Sequence, residues 1–233
     1  VTDQTARTET GGPNRTPRSE IASVRSRRRK YEPVLLLDLS TSMDWGADDE
    51  GDRAHDFPSP YSRRAIVIEA LPHLVRALAA EDSKAEGEQE DGSDELGGLM
   101  TYGFASAPVK IGDLNESNLA RRLAQIQWGG GTVVVPAMEM AIKKFDEEME
   151  DEDELPVMEI LILTDGQASD WQALEPYLLA ADKDRVFVVA VVGHGDKALE
   201  TCNEYKKVAE QNRAKDEFGN AHVHVVLFDG VTD

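Results

Sequence analysis

The chain of 233 residues contains one cysteine, Cys202. Without a second thiol it can form neither an intrachain disulfide nor a cysteine-based zinc cluster. Such usage suits a reducing compartment, and Cys202 is expected to be a small helical filler. No apolar run approaches the ~20 residues needed to span a bilayer. The first residues carry no apolar core of a secretory signal. The expectation is therefore a cytoplasmic protein, or a nuclear one in a eukaryote, without a membrane partner. Basic side chains are also scarce: 25 Lys and Arg stand against 45 Asp and Glu, a net charge of −20. That balance excludes a general affinity for nucleic-acid phosphates.

The charge that is present is unevenly spread. Residues 1–30 carry eight basic and three acidic side chains, so the remainder totals −25. This first segment is rich in Thr, Ser, Arg, Gly and Pro, has no hydrophobic period, and reads as a disordered basic tail. Its run Arg25, Arg27, Arg28, Arg29, Lys30 is a solvated arm, with a nuclear address or an anionic contact as the sharper alternatives. Residues 31–233 read as one folded domain. Within it lie an acidic insertion at 44–61 and two denser acidic loops at 81–95 and 146–154.

From Glu32 onward, strand and helix patterns alternate. Apolar runs at 33–38, 97–105, 157–164, 185–192 and 222–228 read as strands. Helical periods occupy 62–80, 115–126, 133–149, 170–182 and 198–213. Pro72 is expected to kink or interrupt the first of these, whereas Pro136 lies in a first turn, where proline is tolerated. Asn115 or Ser117 is the expected cap of the second. Alternation of this kind predicts an α/β fold, a doubly wound, Rossmann-like sheet with helices on both faces. Right-handed crossovers then put every strand-to-helix loop at one end of the sheet, where ligands bind.

Three fragments fall at that end. Pro33-Val34-Leu35-Leu36-Leu37-Asp38-Leu39-Ser40-Thr41-Ser42 is a core strand that ends in a carboxylate and two alternate hydroxyls. Gly129-Gly130-Gly131-Thr132 offers a third hydroxyl, and Leu163-Thr164-Asp165-Gly166 a second carboxylate. Carboxylate and hydroxyl oxygens suit a hard divalent cation better than zinc. Mg²⁺ is the expected ion, with Mn²⁺ or Ca²⁺ as alternatives. Neutral hydroxyl ligands leave the ion electrophilic, so an open position can accept an acidic side chain from another molecule.

The ordered motifs DLSTS (38–42), GGGT (129–132) and LTDG (163–166), with TYGFAS (101–106) and VVGHGD (191–196), resemble those of von Willebrand factor type A (vWA) domains over about residues 32–233. The resemblance implies a mostly parallel sheet of six strands with a short antiparallel edge, and a metal-ion-dependent adhesion site. It implies that Ser40, Ser42 and Thr132 supply hydroxyls, while Asp38 and Asp165 act directly or through water. Many members have glycine where this chain has Thr41, which is expected to tighten or tilt the turn. Intracellular domains of this kind often work with AAA-type ATPases, chelatases, or metal-ion and tellurium stress systems.

The insertion at 44–61 should overhang the metal end. Asp48, Asp49, Glu50 and Asp52 lack the regular spacing of a calcium loop. Asp44, Trp45, Trp128, Gly130 and His194 form the candidate rim for a partner. His222 and His224 lack further nitrogen or sulfur ligands in sequence, so packing is favoured over zinc. The functional expectation is a non-enzymatic, metal-dependent module that grips a Glu or Asp of a protein partner. An Mg²⁺-dependent hydrolase or phosphoryl-transfer enzyme is the alternative, but no phosphate-cradling lysine loop and no DxD-type nucleophile arrangement accompany Asp38. A metal-free acidic scaffold is the third reading.

Overall fold

A computed structural model describes residues 31–46, 62–85, 98–150, 155–212 and 221–228, with 79–85 in backbone only. The basic segment 1–30, most of the 44–61 insertion, and the tips of both acidic loops lie outside these residues. Six strands form one sheet: β1 (Tyr31–Asp38), β2 (Leu99–Phe104), β3 (Pro108–Leu114), β4 (Val157–Thr164), β5 (Arg185–Val192) and β6 (Val223–Phe228). Their order is β3-β2-β1-β4-β5-β6, and only β2–β3 is antiparallel. The helices are α1 (Arg63–Ala85), α2 (Leu119–Gln125), α3 (Val135–Glu148), α4 (Trp171–Leu179) and α5 (Gly195–Gln211), with a 3₁₀ turn at Thr41–Asp44.

The pleat of β1 divides the core. Val34 and Leu36 face a cluster with Met138, Ala141 and Phe145 of α3, Leu174 and Leu178 of α4, and Cys202 and Tyr205 of α5. Leu35 and Leu37 face Val67, Leu71 and Val75 of α1 and Leu119 and Leu123 of α2. Alternate side chains are thus buried on opposite faces, so the buried stretch Val34–Leu37 of β1 must be apolar at every position. Each fully buried leucine contributes about 1.5–3 kcal/mol. Cys202 is buried as a helical filler. His222 is buried just before β6, and His224 is exposed on it.

Several elements differ from their sequence patterns. The first helix runs through Pro72 and on to Ala85, past the expected end at residue 80. Proline removes one N–H from the ladder and costs about 3 kcal/mol. Burial of Val67, Leu71 and Val75 on either side of it offsets that cost. The strand β3 is absent from the sequence reading because PVKIGDL buries only Ile111 and Leu114. The second helix starts after Asn118, not at Asn115 or Ser117. Asn115 instead folds the preceding turn, its Oδ1 accepting from Ser117 Oγ and Asn118 N at 2.7 and 3.1 Å. The third helix, by contrast, ends at Glu148 within a residue of its expected end, so the first residues of the acidic stretch 146–154 are helical. There Lys143–Glu147 and Lys144–Glu148 pair one turn apart.

The order of the sheet positions the site. From β1 the chain moves outward to β2 and β3, then returns to place β4 on the other side of β1. The carboxyl ends of β1 and β4 therefore meet at the point where the winding reverses, the usual place for a ligand crevice.

Candidate metal centre

Register brings the two apolar strands into step. Leu37 pairs with Leu163, so Asp38 and Thr164 leave the sheet side by side. Thr164 Oγ1 donates to Asp38 Oδ2 at 2.7 Å, and Ser40 N donates to Asp38 Oδ1 at 2.8 Å. The second bond folds the chain into a tight Asx-type turn. The 3₁₀ turn that follows brings Ser42 back under Ser40.

Ser40 Oγ and Ser42 Oγ lie 3.0 Å apart, and Ser42 Oγ donates to Asp165 Oδ1 at 3.0 Å. Since the one hydroxyl proton of Ser42 goes to Asp165, Ser40 donates to Ser42. The other oxygen of Asp165 is taken by Arg63, whose Nη1 lies 3.0 Å from Oδ2 and 3.2 Å from the Ser42 carbonyl. Arg63 is the first residue of α1 and only 4% exposed.

The structure thus joins Asp38, Ser40, Ser42 and Asp165. Thr132 is anchored through its backbone to Ser169. Thr132 N donates to Ser169 Oγ at 3.3 Å, and Ser169 N donates to Thr132 O at 2.7 Å. Among the described residues no hydrogen bond links the Thr132 hydroxyl to the other four. Its loop is stitched to the DLSTS turn by Gly129 N to Leu39 O at 2.6 Å and Thr41 N to Gly130 O at 3.2 Å. Gly130 N in turn donates to Thr41 Oγ1 at 3.0 Å. The threonine at position 41 is therefore a clamp between the DLSTS and GGGT loops. Gly130 has φ +103°, and a Cβ there would meet Ser106 Oγ at 2.8 Å, so the loop requires glycine.

The rim residues fall into two aromatic–cation pairs. The Arg64 guanidinium lies 4.7 Å over Trp128 and pairs with Asp44 at 3.1 Å. Lys197 lies 5.7 Å over Trp45. His194 is half-buried and directly precedes α5.

Electrostatics set the character of the site. Burial, and then the negative charge of Asp165, push the Asp38 carboxyl up to about 6, against the hydrogen bonds from Ser40 and Thr164. Asp165 is also raised, because burial outweighs the opposing field of Arg63. Two buried carboxylates thus repel one another, and either would be relieved by added positive charge. The donor chemistry fits a hard divalent ion. Every candidate atom is oxygen, the donor type that a hard divalent ion prefers. Among the described residues no group of three or more His, Cys, Asp or Glu side chains could hold a metal, so any ligand set here depends on hydroxyls.

Three contributors were not singled out from the sequence. Arg63 follows the long insertion and carries no motif. Thr164 precedes the acid in LTDG, and its hydroxyl serves Asp38 across the strand pair. Asp170 stands at the start of its own helix, as expected, but its carboxylate accepts from Val134 N and Val135 N at 3.0 and 2.8 Å. It caps the start of α3 and so fixes the Thr132 loop from across the sheet end.

No protein-family model and no curated protein sequence matches the chain. Solved structures do share its fold. Manganese-loaded TRAP protein from Plasmodium vivax is 15% identical with a TM-score of 0.52, covering 87% of this chain and 69% of that one. The D319A mutant of the PilB minor pilin from Streptococcus sanguinis is 10% identical with a TM-score of 0.52, covering 86% and 57%. A von Willebrand factor type A protein from Catenulispora acidiphila is 14% identical with a TM-score of 0.48, covering 88% and 39%. The chain spans less than two thirds of the length of the latter two. The fold class is the one expected from the sequence: a six-stranded, mostly parallel α/β sheet, with one antiparallel edge strand. Among the described residues no helix is long and apolar enough to cross a membrane.

Proposed function

We propose that this chain is a divalent-metal-dependent protein-interaction module. Ser40, Ser42 and Thr132 would hold Mg²⁺, or Mn²⁺ or Ca²⁺ in its place, through hydroxyl oxygens. Asp38 and Asp165 would contribute directly or through water. The ion would supply Lewis acidity toward a carboxylate, and a Glu or Asp of a protein partner would complete its shell. The observation that carries this reading is the Ser40–Ser42–Asp165 oxygen chain beside the buried Asp38. TRAP, a protein of the same fold, was solved loaded with manganese, which supports the divalent-ion reading. Trp45 and Trp128, each under a cation, and Asp44, Gly130 and His194 would form the partner's contact rim. Aromatic and arginine side chains are favoured anchors at such surfaces.

The proposed role is binding rather than catalysis. The Ser40 and Ser42 hydroxyls are engaged with one another and with Asp165, and Asp165 is engaged with Arg63. Calorimetric titration with Mg²⁺ tests the site, with Asp38→Ala and the double variant Ser40→Ala/Ser42→Ala as controls. The expected result is uptake by the parent and none by either variant; retained affinity in both would refute the assignment. A pulldown from the native host in Mg²⁺ and in EDTA would then identify the partner, with an AAA-type ATPase or a stress-response complex as the class of candidate.

A further inference from the structure

We infer that Arg63 sets the charge of this site so that it favours an anionic guest at the expense of tight ion binding, an inference that rests on the metal-module reading above. The placement of Arg63 is costly on two counts. It is buried, and desolvating a guanidinium is unfavourable unless its partners compensate. It also opens α1, where the helix dipole favours negative charge. The next residue, Arg64, shows the cheaper arrangement: it lies over Trp128 with more of its side chain in water and pairs with Asp44. Arg63 instead turns inward to Asp165 Oδ2 and the Ser42 carbonyl.

The consequence is a matter of charge. Asp38, Asp165 and Arg63 sum to −1 in their ionised forms. A divalent ion takes that sum to +1, and one incoming carboxylate restores neutrality. Without Arg63 the ion alone would neutralise the two aspartates, and the same carboxylate would leave the site at −1. Removing the guanidinium makes the site one charge more negative whatever else surrounds it, and arginine keeps its charge at any physiological pH. Arg63 also engages one oxygen of Asp165 while Ser42 engages the other, which disposes Asp165 to act through water and keeps the ion electrophilic.

The test uses Mn²⁺ as the metal and acetate as the carboxylate probe. Calorimetry measures Mn²⁺ affinity. Water-proton relaxation of the loaded protein reports acetate displacing a bound water. Arg63→Met, with Arg63→Gln as a second neutral variant able to donate to Asp165, should bind Mn²⁺ on the order of tenfold more tightly and acetate on the order of tenfold more weakly. Arg63→Lys should move both affinities back toward the parent values. If the parent takes up no Mn²⁺, the metal reading fails and this inference with it. If the parent binds both probes and the neutral variants fail to shift the two affinities in opposite directions, the role of Arg63 alone is overturned.

Discussion

Replacing Asp38 with asparagine should stabilise the metal-free protein at neutral pH. Asp38 is fully buried and its carboxyl is pushed from 3.8 up to about 6, so the folded state holds a proton that the unfolded state releases. The group therefore favours the fold fully below pH 3.8, and this contribution disappears as pH rises through 6. A shift of about two units corresponds to about 3 kcal/mol lost at pH 7.5 relative to the protonated form. Asparagine cannot ionise and escapes that loss. It keeps a carbonyl for Ser40 N but replaces the acceptor for Thr164 Oγ1 with a donor. The mismatch costs about 1 kcal/mol, since Thr164 can turn its proton to the Gly166 carbonyl 3.1 Å away. The net expectation is a gain of about 2 kcal/mol at pH 7.5. Urea denaturation in EDTA at pH 7.5 and pH 4 measures it. The gap should close or reverse at pH 4, where the parent carboxyl is largely protonated in the fold. An asparagine variant no more stable than the parent at pH 7.5, or a gap independent of pH, would refute the reasoning. The same variant should gain nothing from Mg²⁺, so the acid destabilises the empty fold in exchange for a ligand.

Other expectations follow from the same contacts. Mg²⁺ at a hundred times its dissociation constant should stabilise the parent by about 2.7 kcal/mol; the Ser40→Ala/Ser42→Ala protein should show no such rise in thermal midpoint. Asp170→Ala removes two charge-assisted bonds from the start of α3. It should cost about 1–2 kcal/mol by urea denaturation and speed amide exchange in 129–135. Gly130→Ala must hold φ at +103° and push against Ser106 Oγ. Its expected cost is about 1–2 kcal/mol in thermal or urea melts, and an added Ser106→Gly should recover only the part due to the clash.

The sequence was most legible where local chemistry and burial agree. The runs Val157–Thr164 and Arg185–Val192 are strands with the bounds their composition predicts, because strands covered on both faces must be apolar at nearly every position. The weaker pattern of β3 was not legible, because an edge strand with one half-covered face carries little hydrophobic signal. The reach of α1 through Pro72 was missed for a related reason. A proline's local cost is readable from sequence, but the packing that offsets it is not.

The order of the DLSTS, GGGT and LTDG motifs, the alternation of strands and helices, and the acidic composition are properties of the chain itself. They determine which oxygens are available and that strand ends will carry them. Which of those oxygens meet is a tertiary matter. Asp38 and Thr164 touch across 126 residues because β1 and β4 pair in one register, and Arg63 reaches Asp165 across 102 because α1 packs over that strand end. Periodicity records burial along one element, whereas a charge balance among three elements exists only once the sheet has brought them together.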